Sequence, residues 1–237
     1  MQQSFEPLKI QSLKEACIAR LEGLILSGEL KIGERLPAER DFAARLGVSR
    51  PVLHEALVDL DAKGLVEIVP RRGVFVSDYL SKGSLTLLNA LLAYSDGELS
   101  QPFLRSLIDM RLLMETETAR LAAIHRTTEH LDAIRSILAQ EETVDRRDAG
   151  LLSELDFAFH QTIARASGNL MYLLIINSLR SIYTNITRHF FKKYSGNGVL
   201  EQAFQFHQRL AAVIGSGDSQ AAAQVMADML RHGDEHL

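Results

Sequence analysis

The chain contains a single cysteine, Cys17. No internal disulfide can form, and a zinc ribbon built on four thiolates is out of reach. So few thiols fit a reducing compartment, and the expectation is a cytoplasmic protein. No apolar run is long enough to span a bilayer, so no membrane partner is expected. The opening residues lack the basic stretch and apolar block of a secretory leader. An excess of positive charge is missing too: the formal net charge is −4. That excludes a non-specific coater of nucleic acid, which is basic throughout, but leaves room for a sequence-specific binder with one positive face. Internal repeats and low-complexity tracts are also missing. What remains is a chain of 237 residues, enough for one large or two modest domains with real cores.

The first third has a recognisable order of elements. Residues 8–28 read as an amphipathic helix with Ile18, Leu21, Leu24 and Ile25 at helical spacing. Gly28 and Gly33 bracket a turn, and Pro37 opens the next segment. Leu36, Phe42, Ala43 and Leu46 give a short apolar face that Gly47 interrupts. Ser49 is placed to cap the following helix, and Pro51 sits in its first turn, where a missing N–H costs little. That helix points Val52, Leu53, Ala56, Leu57 and Leu60 inward and stops at Gly64. Two alternating segments, LVEIV and GVFVS, then flank Pro70-Arg71-Arg72-Gly73 and predict a β-hairpin. Helix, helix, tight turn, helix and hairpin in that order make a winged helix-turn-helix.

From about Leu85 the pattern becomes helical throughout, with punctuation at Ser95-Asp96-Gly97, Asp148-Ala149-Gly150, Ser167-Gly168-Asn169, Ser195-Gly196-Asn197-Gly198 and Gly215-Ser216-Gly217-Asp218. The expected fold is mainly α: a winged helix-turn-helix over residues 1–78, a helical linker over 79–100, and an all-α antiparallel bundle over 101–237.

A recognition helix puts its first turns into the major groove, so base-reading side chains cluster at its N-terminus. Ser49, Arg50, Pro51 and His54 occupy that region. Arg50 suits a bidentate contact to guanine, and Ser49 a phosphate or base edge. Arg40 and Arg45, on the preceding helix, are placed to hold the phosphate backbone. Arg71, Arg72 and Gly73 suit a close approach of the wing to phosphate or minor groove. Each arginine taken singly is more often a solvated charge paired with Glu39, Asp41 or Glu55. Taken with the glycine turn, the cap and the hairpin, double-stranded DNA is the expected partner.

Two segments carry a family resemblance: Leu36-Pro37-Ala38-Glu39-Arg40 and Leu46-Gly47-Val48-Ser49-Arg50 resemble the DNA-binding domain of GntR-type regulators. The likeness covers roughly residues 10–77. Where the family has a VREAL segment, this chain has Leu53-His54-Glu55-Ala56-Leu57, so His54 stands in place of an arginine that contacts DNA. Pro51 likewise stands where Thr or Ser is usual. The resemblance therefore implies DNA binding with a shifted operator preference.

In the second half Asp156 and His160 are four residues apart and project from one helix face, half of a site for zinc, manganese or nickel. His207 and His232, on the last two helices, are candidates to complete it. The alternative is a simple i,i+4 hydrogen bond. Residues 100–235 look like the helical effector domain of the FadR subfamily, whose metal-containing members have an Asp and a His four apart, then a His opening a helix, then a final His. Asp156, His160 and His207 match the first three, while the fourth position falls at Met229 and leaves His232 one turn further on.

The run Ser181 to Phe191, preceded by Ala166-Ser167-Gly168-Asn169, instead resembles fatty-acyl-CoA-responsive members of that subfamily, as do Gly83-Ser84-Leu85, Leu87, Leu88 and Leu91. Those members use no metal there. Arg111, at the matching inward position of the domain's first helix, is a candidate for a ligand carboxylate or phosphate, or else for an intra-helix pair with Glu115. Tyr183, Asn185 and Arg188 are the other effector candidates.

The resemblances together imply a homodimeric repressor or activator on a palindromic operator, controlled by a small molecule. The contiguous match favours a fatty acyl-CoA. The alternative effector is a small carboxylic acid held on a divalent metal. A metal-dependent enzyme is the remote third possibility, since the chain offers no dedicated nucleophile and no glycine-rich phosphate loop.

Overall fold

The structure is a computed structural model that describes residues 12–82 and 101–236. Most of the expected linker, with Gly83 to Leu91 and the turn at Ser95-Asp96-Gly97, lies outside the described residues, as do residues 1–11. The chain divides into two compact units, Met1–Asp96 and Gly97–Leu237.

The first unit opens with α1 (Leu13–Leu26), whose start is fixed by a capping box. Glu15 N–H donates to Ser12 Oγ, and the Glu15 carboxylate accepts from Ser12 N–H, so two donors that the first turn leaves over are satisfied. Next come α2 (Glu39–Leu46) and α3 (Arg50–Ala62). Gly47 ends α2 at φ 69°, a left-handed conformation that favours glycine and permits the tight turn into α3. The predicted inward residues Leu53, Ala56, Leu57 and Leu60 are all buried, and Val52 is half-buried. They form one core with Leu21 and Ile25 of α1.

Strands β1 (Val66–Val69) and β2 (Gly73–Val76) pair antiparallel, with Val66 opposite Val76 and Val69 opposite Gly73. The segment before α2 extends this wing: Leu36 N–H donates to Val74 C=O and Val76 N–H to Glu34 C=O. A short α4 (Tyr79–Lys82) follows.

The second unit is helical among its described residues: α5 (Gln101–His125), α6 (Thr128–Thr143), α7 (Ala149–Ala166), α8 (Leu170–Ser178), α9 (Arg180–Lys193), α10 (Gly198–Ser216) and α11 (Ser219–Asp234). The punctuation read from the sequence becomes caps: Asp148, Asn169, Asn197 and Asp218 each accept a first-turn N–H of the helix they open. Two breaks fall outside that punctuation. Thr127 caps α6 through its hydroxyl, and α8 passes into α9 at Leu179. The helices are packed as α5 on α11, α7 on α9, and α10 on α11, with α7 touching α5 and α6 as well. Phe159 and Ile163 of α7 and Leu210 and Ile214 of α10 lie in the centre, fully buried. No helix of the described residues is long and apolar enough to cross a membrane.

Candidate functional site

In the first unit the predicted DNA-reading residues fall on one helix start. Ser49 caps α3 by accepting from Val52 N–H at 3.4 Å, which leaves its own O–H free in valence to donate elsewhere. Arg50, Pro51 and His54 are exposed in the first turns. Glu39 at the start of α2 reaches across to two of them, Arg50 Nε at 3.3 Å and His54 Nδ1 at 3.1 Å. Partial burial by itself raises the Glu39 pKa, but the His54 and Arg50 contacts outweigh it and hold the carboxyl below its usual range. The paired-surface alternative is thus partly realised: Arg50 meets Glu39, and Arg40 meets Asp41 at 3.5 Å. Both arginine side chains stay 71% or more exposed, so these contacts are weak and exchangeable. Arg45 is exposed on α2.

At the wing tip Arg71 adopts φ 64°, and both it and Arg72 are exposed. Gly73 sits at φ 112°, and a Cβ there would lie 3.1 Å from Arg35 Nε. Arg35 is therefore a further wing cation that sequence reasoning missed, since nothing in its neighbourhood gave it a motif.

In the second unit four helices bring ionisable groups into the core. Asp156 and His160 on α7 and His207 on α10 are buried, with one ligand atom from each lying within 4.8 Å of the others. His207 Nε2 is 3.4 Å from Asp156 Oδ1, and His160 Nε2 is 4.0 Å from it. Each imidazole is held from behind by a glutamate: Glu141 of α6 on His207 Nδ1 at 2.8 Å, and Glu115 of α5 on His160 Nδ1. Fixing Nδ1 in this way turns both Nε2 atoms toward Asp156. His207 also stacks on Phe159 at 4.2 Å between ring centroids.

Burial alone lowers the pKa of His207, yet the Glu141 and Asp156 carboxylates prevail and push it up to about 10. Burial likewise raises Glu115, and Arg111 and His160 reverse that to about 2. Arg111 donates to Glu115 at 2.7 Å and to Tyr183 Oη at 2.6 Å. It stacks over the Tyr183 ring, with 4.0 Å to the centroid. Burial holds the Tyr183 phenol well above its usual range.

The intra-helix Arg111–Glu115 pair is therefore formed, and Arg111 still lines a cavity of about 80 Å³ together with Asp156, His160 and His207. Met229 and His232 line the same cavity. His232 is outside the three-residue ligand group, its Nε2 being turned to the Val199 carbonyl at 3.3 Å. His207 lies in the middle of α10, not at a helix opening as the subfamily pattern implied. Tyr183 lines a neighbouring smaller cavity beside Arg111. Asn185 and Arg188 line none of the described cavities, and Arg188 is exposed: α9 turns its Ile186 and Phe190 inward instead.

Sequence reasoning missed Glu141. The available signal was an acid at an apolar-face position, since Ile134, Ile137 and Glu141 are the buried residues of α6.

The donor set fits a divalent cation. Two imidazoles and a carboxylate converge, and Asp156 Oδ2 is buried without a hydrogen-bond partner.

Comparison with known proteins gives a consistent answer for both units. Residues 13–76 match the family described as bacterial regulatory proteins, gntR family, and residues 106–232 match the FCD domain. The HTH-type transcriptional regulator LutR of Bacillus subtilis (strain 168) is 31% identical over 212 residues, 88% of this chain and 92% of that protein. The HTH-type transcriptional regulator Mce2R of Mycobacterium tuberculosis is 30% identical over 234 residues, covering 99% and 95%. A fatty acid metabolism regulator protein of Yersinia enterocolitica is 30% identical over 203 residues, covering 86% and 80%. Among solved structures, that of Lar, which "controls the expression of the Listeria monocytogenes agr system", covers 96% of this chain and 99% of its own at a TM-score of 0.57. At 15% identity that likeness concerns the fold alone.

Proposed function

The chain belongs to the gntR family of bacterial regulatory proteins and carries an FCD domain, and from that premise we propose a regulator whose effector is a small carboxylic acid bound at Asp156, His160 and His207. That it is a DNA-binding transcriptional regulator, not an enzyme, follows from its family and its relatives. The observation that carries the effector reading is the convergence of three buried ligand atoms within 4.8 Å, backed by Glu115 and Glu141.

These residues would hold Zn, Ni or Mn, and the ion would supply positive charge for a carboxylate. Arg111 adds a guanidinium to the same cavity wall and keeps the ligand's second oxygen or hydroxyl in a fixed direction. A volume of about 80 Å³ suits an acid of a few carbons. A fatty acyl-CoA is favoured by the contiguous run from Ser181 to Phe191 and by likeness to a fatty acid metabolism regulator. It makes no use of the three buried ligand atoms that converge in this cavity.

On DNA, two copies present Ser49, Arg50 and His54 to the two half-sites of a palindrome, with Arg40, Arg45 and the wing residues Arg71 and Arg72 on phosphates. Effector and operator are then linked by a coupling free energy of ~1–3 kcal/mol.

The test is elemental analysis of the purified chain after incubation with Zn, Ni or Mn, with melting temperatures measured against lactate, citrate and oleoyl-CoA. One ion per chain and a rise in melting temperature with a small acid, both lost in D156A, are expected. No bound metal and a rise with oleoyl-CoA alone would overturn the reading.

A further inference from the structure

Helix α3 starts with two side chains that share one acid. Glu39 of α2 gives one carboxylate oxygen to each: Oε2 to Arg50 Nε at 3.3 Å, and Oε1 to His54 Nδ1 at 3.1 Å. Arg50 and His54 are one turn apart on α3, and the side chains of both are more than half exposed. Arg50 thus commits its Nε to the protein and keeps its two terminal amino groups for a partner outside. His54 divides its ring in the same way. Nδ1 is taken, and among the described residues Nε2, on the far side of the ring, has no hydrogen-bond partner.

The Glu39 contact decides which nitrogen of His54 carries a proton. A carboxylate can only accept, and Glu39 is held below its usual range, so it is ionised at neutral pH. Nδ1 must therefore carry the hydrogen it donates. In the neutral ring Nε2 is then a bare acceptor, and in the imidazolium it is an N–H donor pointing the same way. Imidazole side chains gain and lose that proton between about pH 5 and 8. The other elements packed on α3 bring their charges elsewhere. Lys14 of α1 is bonded to Asp59 and lies near Glu55, while Glu22 of α1 is bonded to Lys63. Strand β1 meets the helix at Asp61, which accepts from Ile68 N–H. On α3 itself the residues three and four away from His54 are Arg50, Pro51, Leu57 and Val58, of which only Arg50 is charged. The charges that face His54 are thus Glu39 from α2 and Arg50 from one turn back.

We propose that His54, with its tautomer fixed by Glu39, reads one base of the operator in two ways. Neutral, it accepts from the amino group of adenine or cytosine; protonated, it donates to guanine. This rests on the reading of the preceding section that the start of α3 enters the major groove. There adenine N6 and cytosine N4 are the donors, and guanine shows two acceptors, N7 and O6, side by side. Glu39 is a positioning residue, because a fixed tautomer gives each protonation state a single meaning. Arginine carries donors at every pH and offers no such change. DNA phosphates favour the charged ring, so binding to a guanine site takes up a proton. Affinity for that site therefore falls as pH rises, by up to about tenfold per unit while the free ring is neutral. Affinity for an adenine or cytosine site falls instead as pH drops.

The experiment selects duplexes from a randomised library with the full chain at pH 6 and at pH 8, the fold of each variant being checked by circular dichroism. H54R marks the base pair that residue 54 meets, as the position where guanine is chosen at both pH values. At that pair the wild type is expected to choose guanine at pH 6 and adenine or cytosine at pH 8. The affinity ratio of the two duplexes should change at least about tenfold between these conditions. H54Q has no titrating group and should show one preference throughout. E39Q keeps the ring but frees its tautomer, so the choice made at pH 8 should be lost. A wild-type preference indifferent to pH, a shift that persists in H54Q, an E39Q chain that switches as the wild type does, or an H54R chain that gains no guanine position would each overturn the proposal. R50A separates this from the reading beneath it. If R50A binds the selected duplexes as tightly as the wild type, the placement of α3 in the groove fails. If R50A loses them while the wild type shows no pH switch, only the role of His54 fails.

Discussion

In the N-terminal unit the charges proposed to meet DNA stand in solvent, with the Arg50 side chain 71% exposed and Arg40 89%. In the C-terminal unit the side chains of His160 and His207 are 3% and 2% exposed, and Asp156 only 12%. The two sites are proposed for ligands of opposite kinds. A DNA backbone is large and stays hydrated, so the protein must offer cations that reach outward and exchange partners at little cost. Glu39 illustrates this by holding Arg50 and His54 near one another without burying either. A small ligand must be enclosed to be recognised, and enclosure strips water from every charge around it. Each buried charge then needs a fixed partner, which is why Glu115 and Glu141 stand behind the two imidazoles.

This contrast is open to test. Its largest consequence lies in the buried unit: Glu141→Ala leaves the His207 imidazole without its closest counter-charge and should cost about 3–5 kcal/mol of stability. Urea unfolding of the metal-free chain measures it, and a loss below about 1 kcal/mol would mean that the buried pair is not the tight unit described here. An intermediate effect belongs to Arg50→Ala, which should lower operator affinity by about 1–3 kcal/mol and relax base preference while leaving stability within ~0.5 kcal/mol. Titrating labelled duplexes and unfolding the same variant separates the two quantities; equal losses in both would erase the distinction between the units. The smallest effect is expected for Arg45→Ala. It should weaken operator and random duplex alike and reduce the slope of log affinity against log salt by about one. A sequence-dependent loss at Arg45 would instead make it a base-reading residue.

The N-terminal unit was legible because its signals are local. Gly47, Ser49 and Pro51 fix the turn and the next helix start within a few residues, and the side chains proposed to face DNA sit on that same helix start. Caps in the C-terminal unit were legible for the same reason, at Asp148, Asn169, Asn197 and Asp218. Where a helix ended without glycine, at Leu179, the pattern gave no warning. Arg188 shows a different limit. The run around it resembled a ligand-binding helix, but helical phase turns Ile186 and Phe190 to the cavity and Arg188 to solvent.

By itself the sequence determined the family, the mainly helical architecture with its winged helix-turn-helix, and the Asp156/His160 pair on one face of one helix. All of these are written in spacing along the chain, where 3.6 residues per turn and short-range capping leave few alternatives. Only the tertiary structure decided that His207 closes on Asp156 while His232 turns to Val199, and that Glu115 and Glu141 arrive from two further helices to hold the imidazoles. An apolar stripe tells a helix to bury one face but not which neighbour to bury it against. The meeting of charges from α5, α6, α7 and α10 is therefore a property of the packed core, fixed by how all the side chains fill it together.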